Sequence, residues 1–249
     1  MTLPRLAGVR SKPVRPGVEF RFQEIAEGPN AHASWWSFYD EEEIRARWWH
    51  PGEGDLVLDV GAAFGSYALP ALARGARVVA FNPADFDAEL LAHNVALNPE
   101  LGSRFVQTRE GIGGKDGWFN PRLSRFADAP PPGARTDGAG GVTCEPDEWM
   151  RVRSLDSWCS DYRGYVDARV TWLKFDIEGA ELEALRGAEQ LLRRDRPSIL
   201  VENHQFHHPT MERDVAAFVL GLGVGYRMEG PVPYHSVSHS FFTVTPDVL

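Results

Sequence analysis

Several polar residues stand where apolar runs stop: Asp59, Asn82, Asp176 and the trio Glu202, Asn203 and His204. If these runs are strands of one open α/β sheet, their ends converge on a single crevice, which is where such sheets bind ligands. Gathered there, the carboxylates of Asp176 and Glu202 and the amide oxygen of Asn203 are hard oxygen donors of the kind that holds Mg²⁺. The imidazole of His204, with an ordinary pKa of about 6.5, suits removal of a hydroxyl proton near neutral pH. Asp176, Glu202 and His204 are therefore the candidate catalytic groups. Asp176, Glu202 and Asn203 are the candidate metal ligands. The bland alternative for each is a polar residue at a strand end or on the surface.

The stretch 55–73 must position the first of these groups. Its apolar run 56–60 predicts a strand buried on both faces, interrupted by Asp59. Gly61 and Gly65 bracket a tight turn, Ser66 reads as a helix N-cap, and 67–73 has helical composition. Strand, glycine turn and helix make half of a nucleotide-binding unit. The spacing is G-x-x-x-G, with Ala63 where the dinucleotide fingerprint needs its close-approach glycine. An Asp before the first glycine suits a ligand with a cationic amine and a ribose. S-adenosylmethionine (SAM) has both and lacks phosphate. A dinucleotide, or a turn without a ligand, stays open. Candidate cofactor contacts are Asp59, Gly61, Ala62, Gly65, Ser66, Asn82, Pro83, Glu110 and Asp176. Asn82 stands 23 positions after Asp59, near where a ribose-binding acid is expected.

Around this stretch the pattern alternates strand and helix. Further strands are expected at 75–81, 104–108, 170–175, 198–201, 225–228 and 240–245, and helices at 85–97, 181–194 and 210–222. That is an α/β fold with a Rossmann-like sheet flanked by helices. Residues 1–17 read as a loose tail. An alternating strand at 18–23 and a helix ending at Pro51-Gly52 complete an N-terminal helical and aromatic arm, 1–50, before the main domain, 51–249. Trp35, Trp36, Trp48 and Trp49 either floor a pocket or glue the arm to the domain, and packing is the usual task of large aromatics. The Pro- and Gly-rich insertion at about 120–148 is either a lid over substrate or a disordered loop.

The 249 residues, 43 % of them hydrophobic, suffice for one large core. A net charge of -9 argues against non-specific nucleic-acid binding, which requires phosphate neutralisation. Two cysteines, Cys144 and Cys159, build no disulfide framework. With no secretory signal pattern and no membrane-spanning run, a soluble cytoplasmic protein is expected. A homo-oligomer is left open.

Three blocks in this order, Asp59-Val-Gly-Ala-Ala-Phe-Gly65, Val152-Arg-Ser-Leu-Asp156 and Leu173-Lys-Phe-Asp-Ile-Glu-Gly-Ala-Glu181, resemble the motifs of the FkbM family of SAM-dependent O-methyltransferases. The resemblance spans roughly residues 53–204. It implies a seven-stranded class I methyltransferase sheet and methyl transfer to a hydroxyl, commonly on a sugar or natural product. It also implies that Asp59, Gly61 and Gly65 contact the methionine part of SAM. Where the family usually has Glu before Pro, this chain has Asn82. The Asp176, Glu202 and Asn203 set is similar to the arrangement by which catechol-type O-methyltransferases hold Mg²⁺. Two other classes stand beside this reading: a non-catalytic SAM-fold module that binds a partner through its Trp-rich arm, and a nicotinamide-dependent oxidoreductase.

Overall fold

A computed structural model describes residues 6–25, 38–39, 41–121, 123–131, 149–162, 168–206 and 208–244. Trp35, Trp36, His207, Cys144 and most of the 120–148 insertion lie outside the described residues. The chain builds a seven-stranded sheet from β3 (Leu56–Val60), β4 (Arg77–Phe81), β5 (Phe105–Thr108), β10 (Trp172–Phe175), β11 (Ser198–Asn203), β12 (Tyr226–Tyr234) and β13 (Val237–Val244). The order across the sheet is β12-β13-β11-β10-β3-β4-β5. Strands β5, β4, β3, β10 and β11 run parallel, and β13 inserts antiparallel between β11 and β12. All five residues of β3 are buried, as a parallel strand covered on both faces requires. The strand order reverses direction between β3 and β10, so a crevice opens beyond their carboxyl ends.

Helices cover both faces. One face packs α4 (Leu155–Asp161), α5 (Glu181–Arg186), α6 (Glu189–Asp195) and α7 (Met211–Gly221) through Trp158, Leu185, Leu192 and Val215. The other packs α1 (Glu42–Trp48), α2 (Ala68–Ala73) and α3 (Asp85–Ala96) through Trp48, Leu69 and Leu91. The helix expected over 181–194 is two helices. A Cβ on Gly187 would stand 2.2 Å from the Gly113 carbonyl oxygen, so the chain needs glycine between α5 and α6. The carboxylate of Asp156 then accepts the backbone N–H groups of Gln190 and Leu191 in the first turn of α6.

Residues 6–25 form an arm rather than a loose tail. Strand β1 (Leu6–Arg15) pairs antiparallel with β2 (Val18–Ile25) across a Pro16-Gly17 turn in which Gly17 has φ 76°. Phe20 and Phe22 of β2 enter the core beneath α2 and α3. Two buried asparagines fasten this hairpin to α3. Asn94 accepts the Gln23 N–H at 2.7 Å, and Asn98 accepts the Arg21 N–H at 2.7 Å. Trp48 and Trp49 act as packing: Trp48 stacks on Phe241, and Trp49 meets Trp172 edge to face while its Nε1 donates to the Tyr67 carbonyl.

The start of the expected insertion is ordered. Strands β6 (Gly111–Ile112), β7 (Gly117–Asn120), β8 (Arg125–Ala127) and β9 (Met150–Arg153) form a second sheet in the order β6-β9-β7-β8. The aromatic pair Trp118-Phe119 marks β7 as a possible strand in the sequence, and the structure has it at Gly117–Asn120; β6, β8 and β9, two to four residues long, are too short for alternation to reveal them. Among the described residues no helix is long and apolar enough to cross a membrane.

Candidate active site

The glycine turn after β3 is shaped first by packing. Gly61 has φ 81°, and a Cβ there would lie 1.8 Å from the Asp176 carbonyl oxygen. The turn therefore lies against the end of β10, where only glycine fits. Gly65, at φ 98°, sits 2.6 Å from Leu91 of α3 by the same measure. Ala63 has φ 45° without being glycine. Asn82 compensates: its Oδ1 accepts the Ala63 N–H at 2.9 Å, and its Nδ2 donates to the Ala63 carbonyl at 2.7 Å. The amide expected to meet a ribose is thus engaged in holding the turn.

Two further expectations are corrected here. Ser66 does not cap a helix. Tyr67 occupies the N-cap position of α2 with no side-chain cap bond, and Ser66 lines a separate cavity beneath the β1–β2 hairpin with Lys12, Phe20 and Arg74. Ala62 is 2 % exposed and belongs to the core.

What remains around Gly61 is a small solvent-open cleft, about 80 Å³ as a cavity. Val60, Phe81, Ile112 and Ile177 give it apolar walls, and Pro83, Gly111, Ala180 and Glu110 complete the lining. Glu110 is 3 % exposed. Its Oε1 has no hydrogen-bond partner, the Arg151 Nε standing 3.4 Å away. A buried carboxylate oxygen left over in an apolar slot is a polar anchor awaiting donors.

Behind the turn lies a buried charge cluster. Asp59 is 0 % exposed, and neither of its carboxylate oxygens has a hydrogen-bond partner. Burial, together with Asp176, pushes its pKa to about 6 against the opposing pull of Lys174. Lys174 on β10 is the group that sequence reasoning passed over, although it stands inside a quoted motif. Its Nζ donates to the Gly61 carbonyl and to Asp176 Oδ2, both at 2.9 Å, and lies 3.7 Å from Asp59 Oδ1. Burial alone would lower the Lys174 pKa. The carboxylates of Asp176 and Asp59 more than reverse that and keep the ammonium charged. A lysine two residues before an acid in an otherwise apolar strand was the available signal, because a buried ammonium requires partners. Asp176 is held below its usual pKa by Lys174 and His204, which outweigh its burial.

His204 departs from the expectation of a free base. Its Nδ1 bonds Glu181 Oε1 at 2.7 Å, and its Nε2 lies 3.8 Å from Asp176, 3.8 Å from Glu202 and 3.5 Å from Glu178. Burial would lower its pKa, but Glu181, Asp176 and Glu202 raise it to about 9. At neutral pH it is an imidazolium with no site for another proton. Glu181 Oε1 also accepts the N–H groups of Ile177 and Gly179 at 3.1 Å each, so it ties His204 to the loop after β10. Glu202 is raised to about 9 by burial and by Asp176 and Glu41.

The expected metal trio does not assemble. Asn203, 0 % exposed, faces away from Asp176 and donates to the Ser238 carbonyl and Ser240 Oγ of β13 at 3.0 Å each. Adjacent strand residues point to opposite faces, so Glu202 and Asn203 cannot both meet Asp176. His204 takes its place beside Asp176 and Glu202, their ligand-type atoms lying within 4.8 Å of one another. One imidazole with two carboxylates is not the oxygen set that Mg²⁺ prefers.

The methyltransferase FkbM domain model matches residues 59–228. No curated protein matches the sequence. Among solved structures, the chain is similar to methyltransferase FkbM from Methylobacillus flagellatus KT, with 18 % identity and a TM-score of 0.58. That likeness covers 82 % of this chain but 47 % of the other, so the chain spans about half the length of that relative. A putative rRNA methylase from Clostridium thermocellum matches at 12 % identity and a TM-score of 0.48, over 84 % of this chain and 96 % of that one. An O-methyltransferase from Bacillus cereus in complex with SAH matches at 11 % identity and 0.45, over 76 % and 74 %. With the glycine turn, the Lys174–Asp176 block and the reversal point of the sheet all inside the matched span, the chain belongs to the FkbM methyltransferase family.

Proposed function

We propose that the protein is a SAM-dependent O-methyltransferase acting on a hydroxyl of a small molecule, a sugar or a natural product, in a cytoplasmic setting. The observation that carries this reading is the meeting of two features at Gly61. An apolar cleft holds one buried carboxylate, Glu110, whose Oε1 has no hydrogen-bond partner, and near it stands the acidic pair Asp59 and Asp176, held by Lys174.

The residues present fit SAM. The cleft walls suit an adenine, Glu110 Oε1 suits ribose hydroxyls, and half-buried Asp176, with the charge of buried Asp59 behind it, suits the cationic methionine end. Glu110 thereby takes the task that the Glu-for-Asn82 exchange removes from β4. When bound, SAM supplies an electrophilic methyl group on a sulfonium. The chain's own residues then have two tasks. Asp176, with its side chain 24 % exposed, is the ionised group that an acceptor can reach. Lys174 occupies its Oδ2, which leaves Oδ1 to orient the acceptor hydroxyl and take its proton as the carbon–oxygen bond forms. The His204 imidazolium, pinned by Glu181, keeps Asp176 ionised.

Calorimetric titration with SAM, S-adenosylhomocysteine and NAD tests the cofactor. Binding of SAM and its homologue without NAD is the expected result, and NAD binding without SAM would overturn it. A panel of hydroxyl-bearing acceptors, read by S-adenosylhomocysteine release, then tests the reaction. Release with an amine or carbon acceptor alone would overturn O-methylation.

A further inference from the structure

One buried histidine has no task in this chemistry. His239 of β13 is the register partner of Glu202 on β11 and is 1 % exposed. Neither of its ring nitrogens has a hydrogen-bond partner, and its Nε2 points at Glu202 Oε2 from 3.6 Å. Glu41 reaches the same place from the turn before α1. Its Oε2 is buried without a hydrogen-bond partner, with Arg45 Nη1 3.7 Å away. One ligand-type atom from each of Glu41, Glu202 and His239 lies within 4.8 Å of the others. Leaving an imidazole and a carboxylate oxygen buried and unbonded costs desolvation free energy with no compensating bond.

We propose that Glu41, Glu202 and His239 form a binding site for one divalent transition-metal ion, of the Zn²⁺ or Mn²⁺ class. An imidazole with two carboxylates favours these ions over Mg²⁺ and Ca²⁺, which take oxygen ligands alone. Three protein ligands leave coordination positions open. The neighbouring trio of Asp176, Glu202 and His204 is the poorer site, because Lys174 and Glu181 already hold Asp176 and His204. Resting on the methyltransferase reading, an open position of the ion would receive the acceptor hydroxyl oxygen beside Asp176 and lower its pKa.

The test reads binding directly. Metal-stripped full-length protein is titrated with Co²⁺, followed by its visible absorption, and with Zn²⁺ by calorimetry, in the absence of SAM and acceptor. One equivalent is expected to bind. His239→Ala and Glu41→Gln should each weaken Zn²⁺ at least about 10-fold, the least that loss of a group merely supporting a ligand costs. Circular dichroism monitors folding, and the less buried Glu41 variant carries the test if His239→Ala does not fold. Absence of stoichiometric binding, or wild-type affinity in the folded variants, overturns the site. So does loss of binding in His204→Ala alone, which would place the ion in the neighbouring trio. SAM titration of the same stripped protein separates the two proposals. Intact SAM binding without metal binding defeats only the metal site, and metal binding without SAM binding defeats only the methyltransferase reading.

Discussion

Asn82 grips Ala63 by both its backbone groups, accepting from the N–H at 2.9 Å and donating to the carbonyl at 2.7 Å. The clamp secures a non-glycine residue at φ 45°, in the middle of the turn that faces the cleft. A left-handed alanine is unfavourable by about 1–2 kcal/mol, so the turn depends on its partner. Asn82→Ala should destabilise the protein by about 1–2 kcal/mol and weaken SAM binding, because the half-buried backbone groups of Ala63 lose their bonds. In an Ala63→Gly background the same change should cost less, since glycine holds φ > 0 unaided. Thermal unfolding of the four proteins of this cycle measures the difference. Equal costs in both backgrounds would show that the clamp does not secure the turn.

Lys174 is the only described cation in contact with both Asp59 and Asp176. Lys174→Met would leave buried Asp59 and half-buried Asp176 without their shared cation and should cost about 3 kcal/mol, the lower end of the scale for breaking a buried ion pair. At about 2–4 °C per kcal/mol for a chain of this size, the loss is large enough to read by calorimetry. Lys174→Arg should not restore stability, because the bulkier planar guanidinium does not fit the buried space that one ammonium fills between Gly61 O and Asp176 Oδ2. An unchanged melting temperature in Lys174→Met would contradict the assigned role.

Asp59 carries a pKa near 6, raised by burial. For an acid raised by folding, the stabilising contribution is present at low pH and is lost as pH rises through 6, so ionised Asp59 is costly until a cation meets it. Binding of a cationic ligand favours that ionised form. SAM affinity should therefore fall as pH drops below about 6, and Asp59→Asn should both weaken binding and flatten the profile. Affinity measured by calorimetry from pH 5 to 8 decides this. A flat wild-type profile would remove Asp59 from the binding site.

His204 titrates near 9 rather than near its ordinary value of 6.5. A histidine raised by folding contributes stability that is complete below 6.5 and is lost as pH rises through 9. Melting temperature should decline across that window, and His204→Gln should lessen the decline. In the NMR titration of the wild type, the His204 ring should keep its second proton beyond pH 8, while Glu181→Gln should bring the transition down toward 6.5. A wild-type transition at 6.5 would return His204 to the role of a free base.

The sequence by itself determined the architecture. Buried apolar runs alternating with helical segments, one of them ending in Gly61-x-x-x-Gly65, dictate a parallel sheet with a crevice at its strand ends, because periodicity and glycine spacing are local properties of the chain. It also singled out Asp59, Asp176, Glu202 and His204 near the ends of apolar runs, and the structure brings Asp176, Glu202 and His204 together with Asp59 behind them, joined through Lys174. Side-chain direction was beyond its reach. Whether Asn203 or His204 stands beside Asp176 depends on the one-residue alternation at the end of β11, and a strand-end assignment two residues short misreads it. The charge states were equally hidden. Lys174, Glu181 and His239 come from separate elements, and their mutual distances, which set the pKa values of Asp59, Asp176 and His204, exist only after the sheet has closed and water has been expelled. The hairpin over α3 was lost for a related reason: Asn94 looks like an ordinary helix residue, and Asn98 like a residue just past the helix end, until β2 lies across them.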